Sequence, residues 1–174
     1  MAFRLQALDP NAFHQIYRLM ALSFPPEEIR EKRSARRLLD HPDYRILTAA
    51  DDAGSFCGFF AIWAFEDFQF IEHFAVSPVM RGQGLGSQML RLLMQEAKGK
   101  LLLEVETPEN ELARRRVHFY QRLGFILSSF GYEQPKLQEN SSRRSIQLQL
   151  MTWPAPWTIE KLGAAKEKLF DCVY

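Results

Sequence analysis

A short glycine-rich segment, Arg81-Gly82-Gln83-Gly84-Leu85-Gly86, constrains the fold of this chain more than any other feature. An apolar run at residues 70–76 precedes it, and an amphipathic run at residues 87–94 follows it. This order predicts a strand, a tight turn and a helix, because glycine adopts backbone conformations that other residues avoid. The unpaired N–H groups at a helix start and the charge of Arg81 both favour a phosphate. The segment therefore predicts a turn that binds pyrophosphate.

The spacing within this turn separates three kinds of phosphate-binding loop. A Walker loop ends in Gly-Lys-Ser/Thr, which is absent, and a dinucleotide fingerprint needs a third glycine where Ser87 stands. The pattern Arg/Gln-x-x-Gly-x-Gly/Ala does fit, and it resembles the acetyl-CoA-binding motif of the GNAT superfamily of N-acetyltransferases. The resemblance implies acetyl-CoA as the acyl donor. It also implies donor contacts from the end of the preceding strand and from the turn, at Phe74, Ala75, Val76, Arg81, Gly82, Gln83, Gly84, Leu85, Gly86 and Ser87.

The order of elements along the chain resembles the same family. Periodicity, glycines and prolines predict β-α-α-β-β-β-α-β-α-β-β followed by a helix, with one continuous helix from about residue 26 to residue 40. The fold class expected is α/β (α+β), a GNAT-like fold whose mixed, mostly antiparallel sheet is flanked by helices. We expect residues 1–152 to form the acetyltransferase domain and residues 153–174 a helical extension of it. A polar loop is expected at residues 134–144, and Trp153 and Trp157 are expected to fasten the last helix.

A second resemblance lies in His118-Phe119-Tyr120-Gln121-Arg122-Leu123-Gly124-Phe125. In GNAT enzymes a tyrosine at this place, four residues before Gly-Phe, often serves as a general acid. Tyr120 matches that position, and a phenol can protonate the thiolate that acyl transfer expels. The alternative reading is that Tyr120 is an aromatic residue of the core.

The acceptor amine must lose a proton, and Glu72 is the first candidate for the base. It stands inside an apolar strand, where a carboxylate needs a partner or a purpose, and relatives often carry a glutamate at this place. Glu104, Glu106 and a bound water remain second choices. Strand alternation puts His73 on the opposite face from Glu72, so it is expected to be packed rather than catalytic.

The chain departs from the family pattern before Tyr120. Many members carry Asn seven residues before the tyrosine and Ala four residues before it, where this chain has Ala113 and Arg116. Asn110 lies one helical turn further upstream. These departures keep open a non-catalytic acyl-CoA sensor on the same fold. A nucleotide or dinucleotide binder is the third alternative.

Composition limits the partners and the compartment. The 174 residues include 47% hydrophobic residues and carry a formal net charge of +1, so neither nucleic acid nor a membrane surface is expected as a partner. The basic run at residues 114–116 is expected to be a solvated helix face. Cys57 and Cys172 show no metal-binding spacing, which predicts reduced thiols, no metal and a cytoplasmic location. The acceptor is expected to be an amine of a small molecule or peptide, and the chain a monomer or homodimer.

Overall fold

A computed structural model describes residues 3–97, 99–135, 137 and 146–174. Most of the predicted polar loop at residues 134–144 lies outside this part. The chain divides into two compact units, the first ending at Gly99 and the second beginning at Lys100.

The first unit is built on four antiparallel strands that neighbour one another in chain order. The strands are β1 (Phe3–Ala7), β2 (Tyr44–Asp51), β3 (Phe56–Ala64) and β4 (Phe68–Val76). The α-helices are α1 (Phe13–Ser23), α2 (Lys32–Arg37) and α3 (Leu85–Glu96), and short 3-10 turns lie at Pro10–Ala12, Pro26–Glu28, Leu38–Asp40 and Pro78–Met80. Each long helix buries one apolar stripe, which for α3 consists of Leu85, Met89, Leu90 and Leu93. Burial of these stripes supplies the hydrophobic stabilisation of the unit.

Close packing between β3 and α3 depends on Gly58. A Cβ atom built at this position would lie 2.5 Å from the carbonyl oxygen of Ala75 and 3.0 Å from the Met89 methyl carbon. Only glycine therefore allows β3, β4 and α3 to approach this closely.

The helix expected from residue 26 to residue 40 is wrong as a single element. A 3-10 turn at Pro26–Glu28 is followed by extended backbone at Ile29 and Glu31, and α2 begins only at Lys32. The break has a physical reason, because Ile29 is buried and Arg30 turns towards β4. Tertiary packing has overridden local helix propensity here.

Strand β4 contains a β-bulge at Glu72. Ala61 of β3 pairs with His73, and the next residue, Ile62, pairs with Ile71, which leaves Glu72 as the extra residue. Bulges change the direction in which side chains point and are common beside functional sites. From Ile71 to the end of β4, burial alternates: Ile71, His73 and Ala75 are buried, and Glu72, Phe74 and Val76 are half-buried. The bulge removes the strict alternation from which opposite faces were predicted for Glu72 and His73. That prediction is wrong: His73 pairs with Ala61, which shares a face of β3 with Trp63, and Trp63 binds Glu72.

The second unit contains three antiparallel strands in the order β5-β7-β6. These are β5 (Lys100–Glu106), β6 (Ile126–Glu133) and β7 (Gln147–Trp153), accompanied by α4 (Glu111–Gln121) and α5 (Ile159–Cys172). Gly124, at φ 92°, ends the α4 region as expected of a helix stop. Helix α5 is fastened within this unit, since Phe170 packs edge-on against Tyr132 and Lys161 lies over the Trp157 ring at 4.3 Å.

Candidate functional site

The glycine turn has the geometry that the sequence predicts. Gly82 and Gly84 have φ values of 78° and 75°, in the left-handed region, and α3 starts directly afterwards at Leu85. A Cβ atom would meet no neighbour at either glycine, so the backbone conformation, and not lack of space, requires glycine here. Gly84 is the N-cap of α3 and has no side chain to satisfy the first N–H groups of the helix. Such a helix start can donate hydrogen bonds to an anion.

Arg81 ties this turn to two neighbouring elements. Its Nε donates to the carbonyl oxygen of Val76 at 3.0 Å, and its Nη2 donates to Ser23 Oγ at 3.1 Å. The guanidinium thus joins the end of β4 and the end of α1 to the turn. It remains exposed, so it combines this structural role with a positive charge beside the start of α3.

The end of β4 leads into the turn through three of the predicted donor-binding residues. Phe74 stacks on Phe60 with 4.5 Å between ring centroids, and Ala75 is buried against β3. Leu85 is buried, Gly86 and Ser87 are half-buried, and Gln83 is exposed. The ten residues predicted from the sequence lie at the end of β4, in the turn and at the start of α3, all within the first unit.

Glu72 sits in a network of side-chain donors. Arg30 Nη1 donates to one carboxylate oxygen, and Trp63 Nε1 donates to the other at 2.9 Å. The exposed fraction of the side chain is 14% for Arg30 and 7% for Glu72, so this is a largely buried ion pair. Burial alone would raise the pKa of Glu72, but the charges of Arg30 and His73 and the two hydrogen bonds together hold it below its ordinary value.

His73 follows Glu72 in β4 and is buried. Its Nε2 lies 3.0 Å from the carbonyl oxygen of Glu28, and its ring meets Phe24 edge-on at 4.8 Å. Within the described residues its Nδ1 has no hydrogen-bond partner. The ring packs against the segment that follows α1, as a histidine of the core does.

Tyr120 lies near the end of α4 in the second unit. Phe119 and Phe125 pack edge-on against its ring at 5.1 and 5.7 Å. Burial raises the pKa of the phenol to about 12, although the nearby charge of Arg116 acts in the opposite direction. The hydroxyl is protonated at neutral pH, as it would also be at its ordinary pKa of 10.

The positions where α4 departs from the family pattern have structural roles. Asn110 caps the helix, because its Oδ1 accepts from the backbone N–H of Ala113 at 2.8 Å. Ala113 is buried, and Arg116 forms an exposed ion pair with Glu106 at 3.3 Å. The expected exposure of the basic run at residues 114–116 is confirmed.

Glu104, the alternative base, forms a second carboxylate network. It accepts hydrogen bonds from the hydroxyl of Tyr132 and, at 2.6 Å, from that of Tyr174. Burial and the Glu104 carboxylate raise the pKa of Tyr132 above its ordinary value, which keeps this phenol a donor.

Several residues in these networks were missed by reasoning from the sequence: Arg30, Trp63, Tyr132 and Tyr174. Arg30 lies among charged residues and inside an expected helix, so nothing local distinguishes it from a solvated side chain. The unusual position of Glu72 in an apolar strand was a signal that a partner exists, but not which residue it is.

Comparison with known proteins indicates the class of protein that the glycine turn predicts. The model of the acetyltransferase (GNAT) family matches residues 13–125. A solved GNAT-family acetyltransferase from Bacteroides thetaiotaomicron is 32% identical, with 98% of both chains covered and a TM-score of 0.90. The Bacillus subtilis (strain 168) protein YjbC, named as an acetyltransferase, is 27% identical over 91% of this chain and 80% of its own length.

A more distant likeness is to the spermidine N-acetyltransferase SpeG of Vibrio cholerae. A point mutant of that enzyme is 15% identical, covers 86% of this chain and 92% of its own, and has a TM-score of 0.66. At this identity the likeness concerns the fold alone.

The chain belongs to the GNAT family of acetyltransferases. The predicted α/β fold class, the enzyme class and acetyl transfer to an amine are thereby confirmed, and the family implies acetyl-CoA as cosubstrate. Among the described residues, no helix is long and apolar enough to cross a membrane. In the same part of the chain, no three His, Cys, Asp or Glu side chains are grouped as metal ligands.

Proposed function

We propose that this enzyme transfers the acetyl group of acetyl-CoA directly to a primary amine, with no acylated enzyme intermediate. The observation that carries the proposal is the turn from Arg81 to Gly86, whose left-handed glycines lead into the uncapped start of α3. The amine nitrogen attacks the thioester carbonyl carbon, the C–S bond breaks, and CoA leaves as a thiolate that takes up a proton.

The donor is proposed to contact Phe74, Ala75, Val76 and the segment from Arg81 to Ser87. N–H groups of Gly82 to Gly86 and the start of α3 suit its pyrophosphate. A backbone N–H at Phe74 or Val76 is proposed to polarise the thioester carbonyl, which would stabilise the charge that develops on its oxygen.

Tyr120 is proposed as the general acid that protonates the CoA sulfur. The phenol holds its proton at neutral pH, as a general acid must, although a pKa of about 12 makes it a weaker proton donor than an ordinary tyrosine. Solvent then restores the proton.

Glu72 is proposed to take the amine proton, either directly or through a water molecule. Its lowered pKa keeps the carboxylate ionised and able to accept a proton at neutral pH, although it also makes Glu72 a weaker base than an ordinary glutamate. Glu104, which is held by two phenol hydroxyls, is the alternative base.

The acceptor is proposed to be a primary amine of a small molecule or peptide, acetylated by a monomer or homodimer in the cytoplasm. The fold-level likeness to a spermidine N-acetyltransferase makes spermidine one probe, and a peptide with a free N-terminus is the other. Cys57 and Cys172 are both free thiols, which fits a reducing compartment. Residues 153–174 are proposed to extend the acetyltransferase domain, supported by the packing of α5 in the second unit.

Calorimetric titration with acetyl-CoA tests the donor site through a matched pair of variants. Gly84→Ala forces a side chain into a left-handed conformation at the turn, and Gly54→Ala does the same at φ 80° in the hairpin between β2 and β3. Neither Cβ meets a neighbour, so the two substitutions differ only in place. We expect Gly84→Ala to weaken binding by at least about tenfold and Gly54→Ala to leave it unchanged. Equal affinities in both variants would contradict the proposal.

An acyl-CoA sensor remains the second candidate because the Glu72 carboxylate is already engaged by Arg30 and Trp63. Acetyl-CoA binding without CoA release in the presence of either amine probe would favour the sensor. Displacement of acetyl-CoA by ATP or NAD would instead favour a nucleotide binder.

A further inference from the structure

We propose that Arg30 is a positioning residue for acetyl transfer, because its guanidinium holds the Glu72 carboxylate in the orientation from which it receives the amine proton. This inference rests on the proposed function and names the group that controls Glu72. Arg30 lies 42 residues before Glu72, in the extended stretch between the 3-10 turn at Pro26–Glu28 and α2.

Two donors from different elements fix the carboxylate plane. Arg30 binds one oxygen and the Trp63 indole N–H binds the other at 2.9 Å. Trp63 is itself immobilised on β3, since His41 and Tyr44 pack edge-on against it at 4.9 and 5.1 Å. Rotation of the carboxylate would break at least one of these two hydrogen bonds, so its orientation is set by Arg30 and Trp63 together.

Arg30 is placed by its own stretch of chain. Its carbonyl oxygen accepts from the Tyr17 hydroxyl of α1 at 3.1 Å, and the preceding Ile29 is buried. Two residues earlier, the carbonyl oxygen of Glu28 lies 3.0 Å from Nε2 of His73, the residue that follows Glu72 in β4. The segment from Glu28 to Arg30 is thus fastened to two consecutive residues of β4, Glu72 and His73, and its backbone positions the guanidinium.

The bulge gives this contact its direction. Glu72 is the extra residue of β4, so its side chain leaves the regular alternation at the point where Arg30 arrives. Among the described residues, the charges of Arg30 and His73 lower the pKa of the carboxylate, while burial and the carboxylate itself raise the pKa of Tyr44. Of these, Arg30 supplies the largest opposition to the effect of burial, so its removal leaves burial as the dominant influence.

The indole N–H signal of Trp63 in a ¹H–¹⁵N NMR spectrum reports on Glu72 without any substrate. The chain has three tryptophans, and Trp63→Phe identifies the signal. In the wild type we expect the signal to titrate below the ordinary glutamate range. In Arg30→Gln it should titrate at higher pH, while Arg33→Gln, an exposed position on α2, should match the wild type. Arg30→Lys keeps a charge and provides a second variant if Arg30→Gln fails to fold.

The pH profile of acetylation shows whether Arg30 positions Glu72 for catalysis or only stabilises the fold. With spermidine or a peptide amine as acceptor, Arg30→Gln should lower kcat by about 10- to 100-fold. The fall in kcat on the acidic side of the pH profile should move to higher pH. Acetyl-CoA affinity should stay within about twofold of the wild type. Arg30→Lys should restore part of kcat and return the fall on the acidic side towards its original pH.

The two proposals fail in distinguishable ways. A shifted Trp63 titration with an unshifted activity profile overturns positioning and leaves Arg30 a structural ion-pair partner. An unshifted titration in both Arg30 variants overturns the coupling itself. Absence of acetyl-CoA binding or of transfer by the wild type overturns the proposed function, and the positioning role falls with it even if the titration shifts.

Discussion

Tyr120 lies in an apolar setting. Phe119 and Phe125 surround the ring, and burial raises the pKa to about 12. Tyr120→Phe removes the proton but keeps the ring, so we expect kcat to fall by about 10²-fold or more with little change in acetyl-CoA affinity. Steady-state kinetics and calorimetry check this. Unchanged kcat in a variant of wild-type thermal stability would rule out Tyr120 as the acid.

At the scale of single residues, the sequence allowed positions to be recognised but not their partners. Tyr120 and Glu72 stand out because of the Gly-Phe that follows the first and the apolar strand around the second. Arg30 could not be found, because its contact with Glu72 spans 42 residues and depends on a break in an expected helix. Contacts this distant arise from tertiary packing, which local patterns do not encode.

At the scale of elements, the close packing between β3 and α3 can be tested by substitution at Gly58. Gly58→Ala places a Cβ 2.5 Å from a backbone oxygen, so the strand or the helix must shift, and we expect a loss of about 1–3 kcal/mol in the free energy of unfolding. Gly163→Ala, inside α5, meets no neighbour and should stabilise the chain by about 0.5–1 kcal/mol. Urea unfolding of both variants measures the difference. A Gly58→Ala protein as stable as the wild type would contradict the close packing seen here.

Element order was predictable because periodicity, prolines and glycines mark strands, helices and turns locally. The strand from Phe68 to Val76 and the helix from Leu85 to Glu96 lie within about two residues of their expected ends. The break between residues 28 and 32 was not predictable, since it reflects the burial of Ile29 and the reach of Arg30. The bulge at Glu72 was hidden for a similar reason, because only pairing with β3 reveals an extra residue.

The stability of the whole chain should depend on pH through Glu72. Because its folded pKa lies below the ordinary 4.5, the unfolded chain takes up a proton first as the solution is acidified. The stabilisation is therefore complete above the ordinary pKa and is lost as pH falls through the folded value. Urea unfolding between about pH 6 and about pH 3 should show a shallower decline for Glu72→Gln than for the wild type. Parallel declines would show that Glu72 has no shifted pKa.

Because Glu72 is the surplus residue of a bulge, both flanking halves of β4 already possess partners on β3 without it. Deletion of Glu72 would restore regular pairing between β3 and β4 and leave the glycine turn unchanged, while Arg30 would lose its counter-ion. The proposed proton acceptor thus occupies a position that deletion can erase without changing the pairing of Ile71 or His73. We therefore expect a chain that lacks Glu72 to keep the glycine turn and to lose the proposed proton acceptor.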